Sequence, residues 1–210
     1  MGIIGGQYER SRYPRVFESL LAIHRAQSRS VRLLHRQASP YEVDVLGISL
    51  EKGGASVLAD GYLVHGALTA AQEEFLFGYG AFLQLVDDLQ DVQQDQQDRL
   101  STIFSQSARR WPLDALTART LQFGQRVLEG LDCFENPDGE PLKELMRQSA
   151  VLLLIDAAGR AGRFYSRPYL RDLEAHSPFR FSFLAQVRRK LRRQRVSLMK
   201  LVEAFAAPEE

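Results

Sequence analysis

Apolar residues along this chain recur at steps of three and four, and no stretch alternates apolar with polar side chains as a half-buried strand would. Such a period can bury its apolar stripes only by packing helix on helix, so the chain is restricted to an all-α helical bundle. The pattern predicts about six helices, near 12–37, 41–65 with a break at Gly53-Gly54, 71–98, 112–133, 140–162 and 178–205. Pro40, Pro112, Pro137, Pro141 and Pro178 fall near the boundaries, and Pro40 and Pro178 each follow a serine, the pattern of a helix with proline at its first position. The stretches 99–110 and 164–177 are expected to be long connections. No repeat, Gly/Ser linker or low-complexity tract divides the 210 residues, which reads as one all-α domain over 1–210, with 1–10 and 206–210 as flexible ends.

Composition excludes several classes. With 45% hydrophobic and 25% charged residues the chain is neither disordered nor a small disulfide scaffold, and its one cysteine, Cys133, has no internal partner. A reducing compartment is expected. The longest strongly apolar run, 150–158, is about half of what a bilayer requires, and the N-terminus lacks a basic-then-apolar signal pattern. Together these lead to the expectation of a cytoplasmic protein.

A net charge of +1 conceals segregation. From 53 to 98 there are eight acids and no lysine or arginine; from 160 to 195 eleven basic residues face Asp172 and Glu174; from 9 to 36 seven arginines face Glu9 and Glu18. Like charges in one block repel unless something of opposite sign lies between them. Arginine outnumbers lysine 23 to 4, and its planar fork suits phosphate, although codon usage alone also accounts for the ratio.

The acidic block contains the most informative segment, FLFGYGAFLQLVDDLQDVQQDQQD over 75–98. Phe75, Tyr79, Phe82, Val86 and Leu89 form one apolar stripe for a core. At 100° per residue, Asp87, Asp98, Asp91, Gln84, Asp95 and Asp88 follow one another around an arc of about 100°. Gly80 lies on the same arc, leaving nothing bulky one turn above the carboxylates. Repulsion between acids three and four apart, and their opposition to the helix dipole, make this a costly way to build a plain surface. A hard divalent cation removes the difficulty, because Mg2+ takes one or two carboxylates and completes its shell with water and phosphate. A solvated acidic face explains the spacing equally well. Other sites fit less: the segment lacks the glycine and distal glutamate of an EF-hand, His24, His35, His65 and His176 have no zinc-ligand spacing, and no P-loop or nucleophile elbow occurs.

The phrase Gln84-Leu-Val-Asp-Asp-Leu-Gln-Asp91 resembles the second aspartate-rich motif, FQ-x-x-DD-x-x-D, of the class I isoprenoid synthases, with Leu83 in place of phenylalanine. That all-helical superfamily includes trans-prenyl diphosphate, squalene/phytoene and terpene synthases. The extension through Val92, Asp95 and Thr102-Ile103-Phe104 is closer to the squalene/phytoene version. Lys52-Gly53-Gly54, 35 residues before Asp87, stands where the family has a Lys-Thr pair, and Gln27 and Ser30 stand near a Gly-Gln-x-x-Asp motif.

The resemblance implies ionisation of an allylic prenyl diphosphate, by prenyl transfer or cyclisation, with Mg2+ (or Mn2+) as cofactor. It places the metal on Asp87, Asp88, Asp91 and Asp95, the first three catalytic, and the diphosphate on Lys52, Gln84 and Gln27. Arg99, Arg160 and Arg163 are further basic candidates. One feature departs from the family. The first aspartate-rich motif, which normally lies well over a hundred residues earlier, does not occur in the 86 residues before Asp87. The chain therefore resembles the C-terminal portion of such a fold, with a homo-oligomer or a missing N-terminal half as the expected complement.

The segment FRFSFLAQVRRKLRRQR, 179–195, reads as a basic helix with Phe183, Val187, Leu191 and Leu198 on one face. It suits a solvated outer helix, a cap supplying arginines to the aspartates, or a peripheral contact with an acidic membrane. Nucleic acid is not expected, because no recognition motif or interleaved stacking aromatics accompany the charge. The competing functional class is a non-catalytic helical module whose acidic and basic faces pair with each other or with a partner.

Overall fold

The computed structural model describes residues 6–34, 42–136 and 138–191, and every regular element among them is a helix. Helix α1 spans Pro14–Ser30 and runs into a 3-10 turn, Val31–Leu33. There follow α2 (Val45–His65), α3 (Ala70–Gln90), α4 (Val92–Asp98), α5 (Ile103–Ser107), α6 (Asp114–Glu129), α7 (Glu140–Arg160), α8 (Arg167–Ala175) and a final helix, α9, over 181–191. The 3-10 turns Gly130–Cys133 and Gly162–Phe164 close the C-terminal ends of α6 and α7.

Helix α3 is the central element, packing on α2, α5, α6 and α7. Its start is fixed by a reciprocal cap: the Gln72 N–H donates to Thr69 Oγ1 at 3.3 Å and the Thr69 N–H to Gln72 Oε1 at 3.0 Å. Phe75, Phe82, Val86 and Leu89 are buried as the stripe predicts, joined by Phe104, Leu113, Leu154 and Ile155 in the main core. Fully burying one such side chain contributes about 1.5–3 kcal/mol. A smaller cluster, Leu33, Val45 and Ile48 with Val43 and Leu100, packs beneath the start of α2.

The break expected at Gly53-Gly54 is absent, and α2 runs through it. These glycines serve packing instead. A Cβ on Gly53 would lie 2.3 Å from the Gly80 carbonyl oxygen, and one on Gly80 would lie 2.3 Å from the Gly53 carbonyl oxygen, so α2 and α3 cross backbone to backbone. The space above the carboxylates that Gly80 leaves is filled by α2. Helix α2 ends at Gly66, whose φ of 78° an L side chain adopts only with strain.

The expected helix over 71–98 is divided at Asp91 (φ −93°, ψ 3°), where the N–H is shared between the Asp87 and Leu89 carbonyls. The supposed connections contain α5 and α8, both too short for periodicity to register. In the N-terminal segment expected to be flexible, Tyr8 donates to the Leu63 carbonyl at 2.5 Å and its ring meets Tyr13 edge-on. The helix expected to reach 37 ends instead at Ser30 and its 3-10 turn, after which Leu34 is extended (φ −73°, ψ 136°), while the boundary prolines Pro40 and Pro137 and the ends 1–5 and 192–210 lie outside the described residues.

Candidate functional site

Where α3 gives way to α4, the aspartate arc straddles the edge of the packed face. Asp88 and Asp95, at one side of the arc, are each 6% exposed, while Asp87, Asp91 and Asp98 reach solvent. Asp88 Oδ1 accepts a hydrogen bond from Gln84 Nε2 at 2.8 Å; Asp88 Oδ2 is buried with no partner among the described residues. Asp95 Oδ2 accepts from Thr102 Oγ1 at 3.3 Å. Thr102 is itself held as the cap of α5, accepting from the Ser105 N–H at 3.1 Å.

A cavity of about 190 Å3 opens over Asp88. Its walls include Gln27 and Ser30 from α1, Ser49 and Lys52 from α2, and Gln84 and Asp88 from α3. Thr102 and Leu100 complete it from the loop after α4, which is tied in place by the Ser101 N–H donating to the Leu33 carbonyl at 3.0 Å. Close approach at Gly53 brings Lys52 over α3, and Arg29 on α1 pairs with Glu51, the acid next to Lys52 in sequence. Among the described residues no ion pair engages Lys52 or any of the aspartates 87, 88, 91, 95 and 98.

The electrostatics follow from this burial. Loss of hydration pushes the Asp88 carboxyl up to about 6, opposed by the Gln84 and Ser49 side chains and by the Lys52 charge. Asp95 is pushed up to about 7, again chiefly by burial and then by the Asp88 charge, with Thr102 opposing. Asp87 reaches solvent yet is raised, by partial desolvation and by Asp91, while Lys52 lowers it. The four acids thus share one field, and near neutral pH the buried pair is only partly ionised. A site of this kind gains from any cation that permits full ionisation.

The structure brings Gln27, Ser30, Lys52, Gln84 and Asp88 to one cavity; Asp87, Asp91 and Asp95 do not line it and are linked to Asp88 only through their charges. Of the three arginines proposed from sequence, Arg160 and Arg163 are occupied elsewhere. Arg99 ends α4 in the left-handed conformation (φ 57°), Arg160 pairs with Asp156, and the Arg163 guanidinium stacks 4.5 Å from the centre of the Phe164 ring. None of them lines the cavity. Ser49 was not anticipated, although its spacing of three from Lys52 puts both on one side of α2. A second, larger cavity of about 980 Å3, between α2, α3 and α6, shares no lining residue with the first and is walled by Leu50, Leu58, Phe77 and Val127.

Among the described residues no three His, Cys, Asp or Glu side chains converge at metal-holding distances. The donors nevertheless suit a hard cation that arrives with phosphate, since Mg2+ needs only one or two carboxylates and Asp88 presents a buried oxygen without a partner. The chain matches no family model, no curated protein and no solved structure.

Proposed function

We propose that this chain binds the diphosphate group of an allylic prenyl substrate together with Mg2+, as the diphosphate-holding part of a class I isoprenoid synthase type of site. The observation that carries the reading is the single cavity shared by Gln27, Ser30, Lys52, Gln84 and Asp88, residues singled out from three separated stretches of sequence. Among the described residues Lys52 and these aspartates form no ion pair, which also supports an external ligand.

In this reading Mg2+ takes one or two carboxylates at a time from Asp87, Asp88 and Asp91, with Asp95 behind them, and would complete its shell with water and phosphate. Lys52 meets a phosphate oxygen, and the Gln27 amide donates a hydrogen bond from the facing wall, beside Ser30, whose hydroxyl donates to the Gln27 carbonyl at 2.8 Å. Gln84 keeps one oxygen of Asp88 oriented and leaves the other free. When bound, Mg2+ supplies charge neutralisation for the diphosphate as a leaving group. A volume of about 190 Å3 suits a headgroup, whereas whole drug-sized ligands occupy about 300–1,000 Å3. The remainder of the substrate would extend beyond this cavity, consistent with a partner chain or a further segment supplying the other wall.

Thermal unfolding with Mg2+ alone, pyrophosphate alone and both together tests the proposal. A ligand at 100 times its dissociation constant adds about 2.7 kcal/mol, on the order of 5–10 °C for a chain of this size. The shift should require both components and vanish in Lys52→Ala and in Asp87→Ala/Asp91→Ala. No shift in the parent, or an undiminished shift in both variants, rules the reading out.

A further inference from the structure

Helix α9 carries an apolar stripe that nothing described in the structure covers. Phe183, Val187 and Leu191, four residues apart, are 48%, 37% and 58% exposed, and Phe179, just before the helix, is 53% exposed with its ring centre 5.4 Å from that of Phe183. The opposite side of α9 is fastened to the bundle. Phe181 packs over Gly159 of α7, its N–H donates to Glu174 Oε1 at 2.7 Å, and Arg188 pairs with Asp156. The stripe therefore points away from the core by construction.

Charge along this part of the chain is strongly one-sided. Between 160 and 191 eight arginines and lysines stand against Asp172 and Glu174. Arg160 and Arg188 are taken up by Asp156, whereas Arg180, Arg189 and Lys190 have no ion-pair partner among the described residues. At 100° per residue Lys190 falls about 20° from Phe183, inside the apolar stripe. A lysine there can lay its stem along the apolar surface and lift its ammonium group to a phosphate layer.

We propose that α9 is an interfacial helix that docks this chain on an anionic phospholipid surface, with Phe183, Val187 and Leu191 at the acyl boundary and Lys190, together with Arg180 just before the helix, at the headgroups. Charge complementarity selects the partner: exposed aromatic and aliphatic side chains interleaved with unpaired cations match an anionic, apolar-backed surface. A nucleic acid would leave the apolar stripe in water. No described helix is long and apolar enough to cross a membrane, so the contact is with the surface. This inference does not depend on the diphosphate reading, and its assay contains neither Mg2+ nor pyrophosphate.

Co-sedimentation of the whole chain with vesicles of phosphatidylcholine, or of phosphatidylcholine with one-third phosphatidylserine, tests it. Binding is expected only to the anionic vesicles and should weaken in high salt. Each basic residue near such a surface strengthens binding roughly fivefold, so Arg180→Glu/Lys190→Glu should reduce it at least about tenfold. Phe183→Asp/Leu191→Asp should do the same, and the thermal midpoint of both variants should match the parent because all four residues are exposed. Failure of the parent to bind, equal binding to neutral vesicles, or parental binding by either variant overturns the proposal. So does a parent that self-associates without vesicles and becomes monomeric on Phe183→Asp/Leu191→Asp, since a second copy would then cover the stripe.

Discussion

Replacing Gly53 by alanine sets two well-defined effects against each other. In a helix interior alanine is favoured over glycine by about 0.8–1.0 kcal/mol, so propensity alone predicts stabilisation. At this position, however, the new Cβ would lie 2.3 Å from the Gly80 carbonyl oxygen and 2.5 Å from Gln84 Cβ. Normal contact is about 3.5–4.0 Å, so the two helices must part by roughly 1 Å, and the obstacle is backbone that no rotamer change can move aside. Overpacking of this kind costs about 1–3 kcal/mol, and a gap of about 1 Å also forfeits a quarter to a half of each dispersion contact along the seam. The net expectation is a loss of about 1–2 kcal/mol, a fall in midpoint of roughly 2–8 °C for a chain of this length. Thermal unfolding followed by far-UV circular dichroism measures it. Gly80→Ala should cost a similar amount, and the double variant clearly less than the sum, because one separation of the helices relieves both clashes. A midpoint equal to or above the parent's in Gly53→Ala would mean that α2 and α3 do not cross backbone to backbone, and the placement of Lys52 over Asp88 would lose its basis.

Further outcomes concern the buried groups. The folded-state carboxyls of Asp88 and Asp95 titrate near 6 and 7, above their ordinary range, so the stability they contribute is complete below about pH 4 and is lost as pH rises through 6–7. Metal-free protein should therefore lose up to a few kcal/mol between about pH 4 and pH 8, and Asp95→Asn, which keeps an acceptor for Thr102, should flatten that decline in a series of urea titrations. An unchanged slope would show that these acids are hydrated in solution. Asp88→Asn should raise the midpoint at pH 8 while abolishing the response to Mg2+ with pyrophosphate, the trade expected where a buried charge is kept for binding. In the main core, Thr117 Oγ1 and the Tyr165 hydroxyl bond to each other at 2.6 Å with Thr117 fully buried. Thr117→Val strands the tyrosine hydroxyl and should cost about 1–3 kcal/mol by chemical denaturation; a loss below a few tenths would place water at that pair.

The sequence alone determined the class of fold and the direction in which α3 faces the core, because a 3.6-residue period is a local property that any packing must respect. Phe75, Phe82, Val86 and Leu89 of the stripe are buried as read, with Tyr79 half-buried, whereas the helix expected to carry the aspartate arc is divided at Asp91. Local periodicity could not determine which side of that arc is buried. Asp88 and Asp95 are enclosed by α2 and the loop through Thr102, contacts between residues tens of positions apart, whereas Asp87 and Asp91, on the same arc, remain in water. The glycines show the same division. Gly53 and Gly54 read locally as a weak point, since glycine lowers helix propensity, but the crossing with Gly80 needs their missing side chains and keeps α2 continuous. The arginines placed by charge alone went to other uses, Arg160 to Asp156 and Arg163 to the Phe164 ring, because Coulomb attraction is satisfied by the nearest partner the fold provides. Residue type and spacing thus named the groups of the proposed metal-diphosphate site, and only the packing of α1, α2 and α3 decided which of them share one cavity.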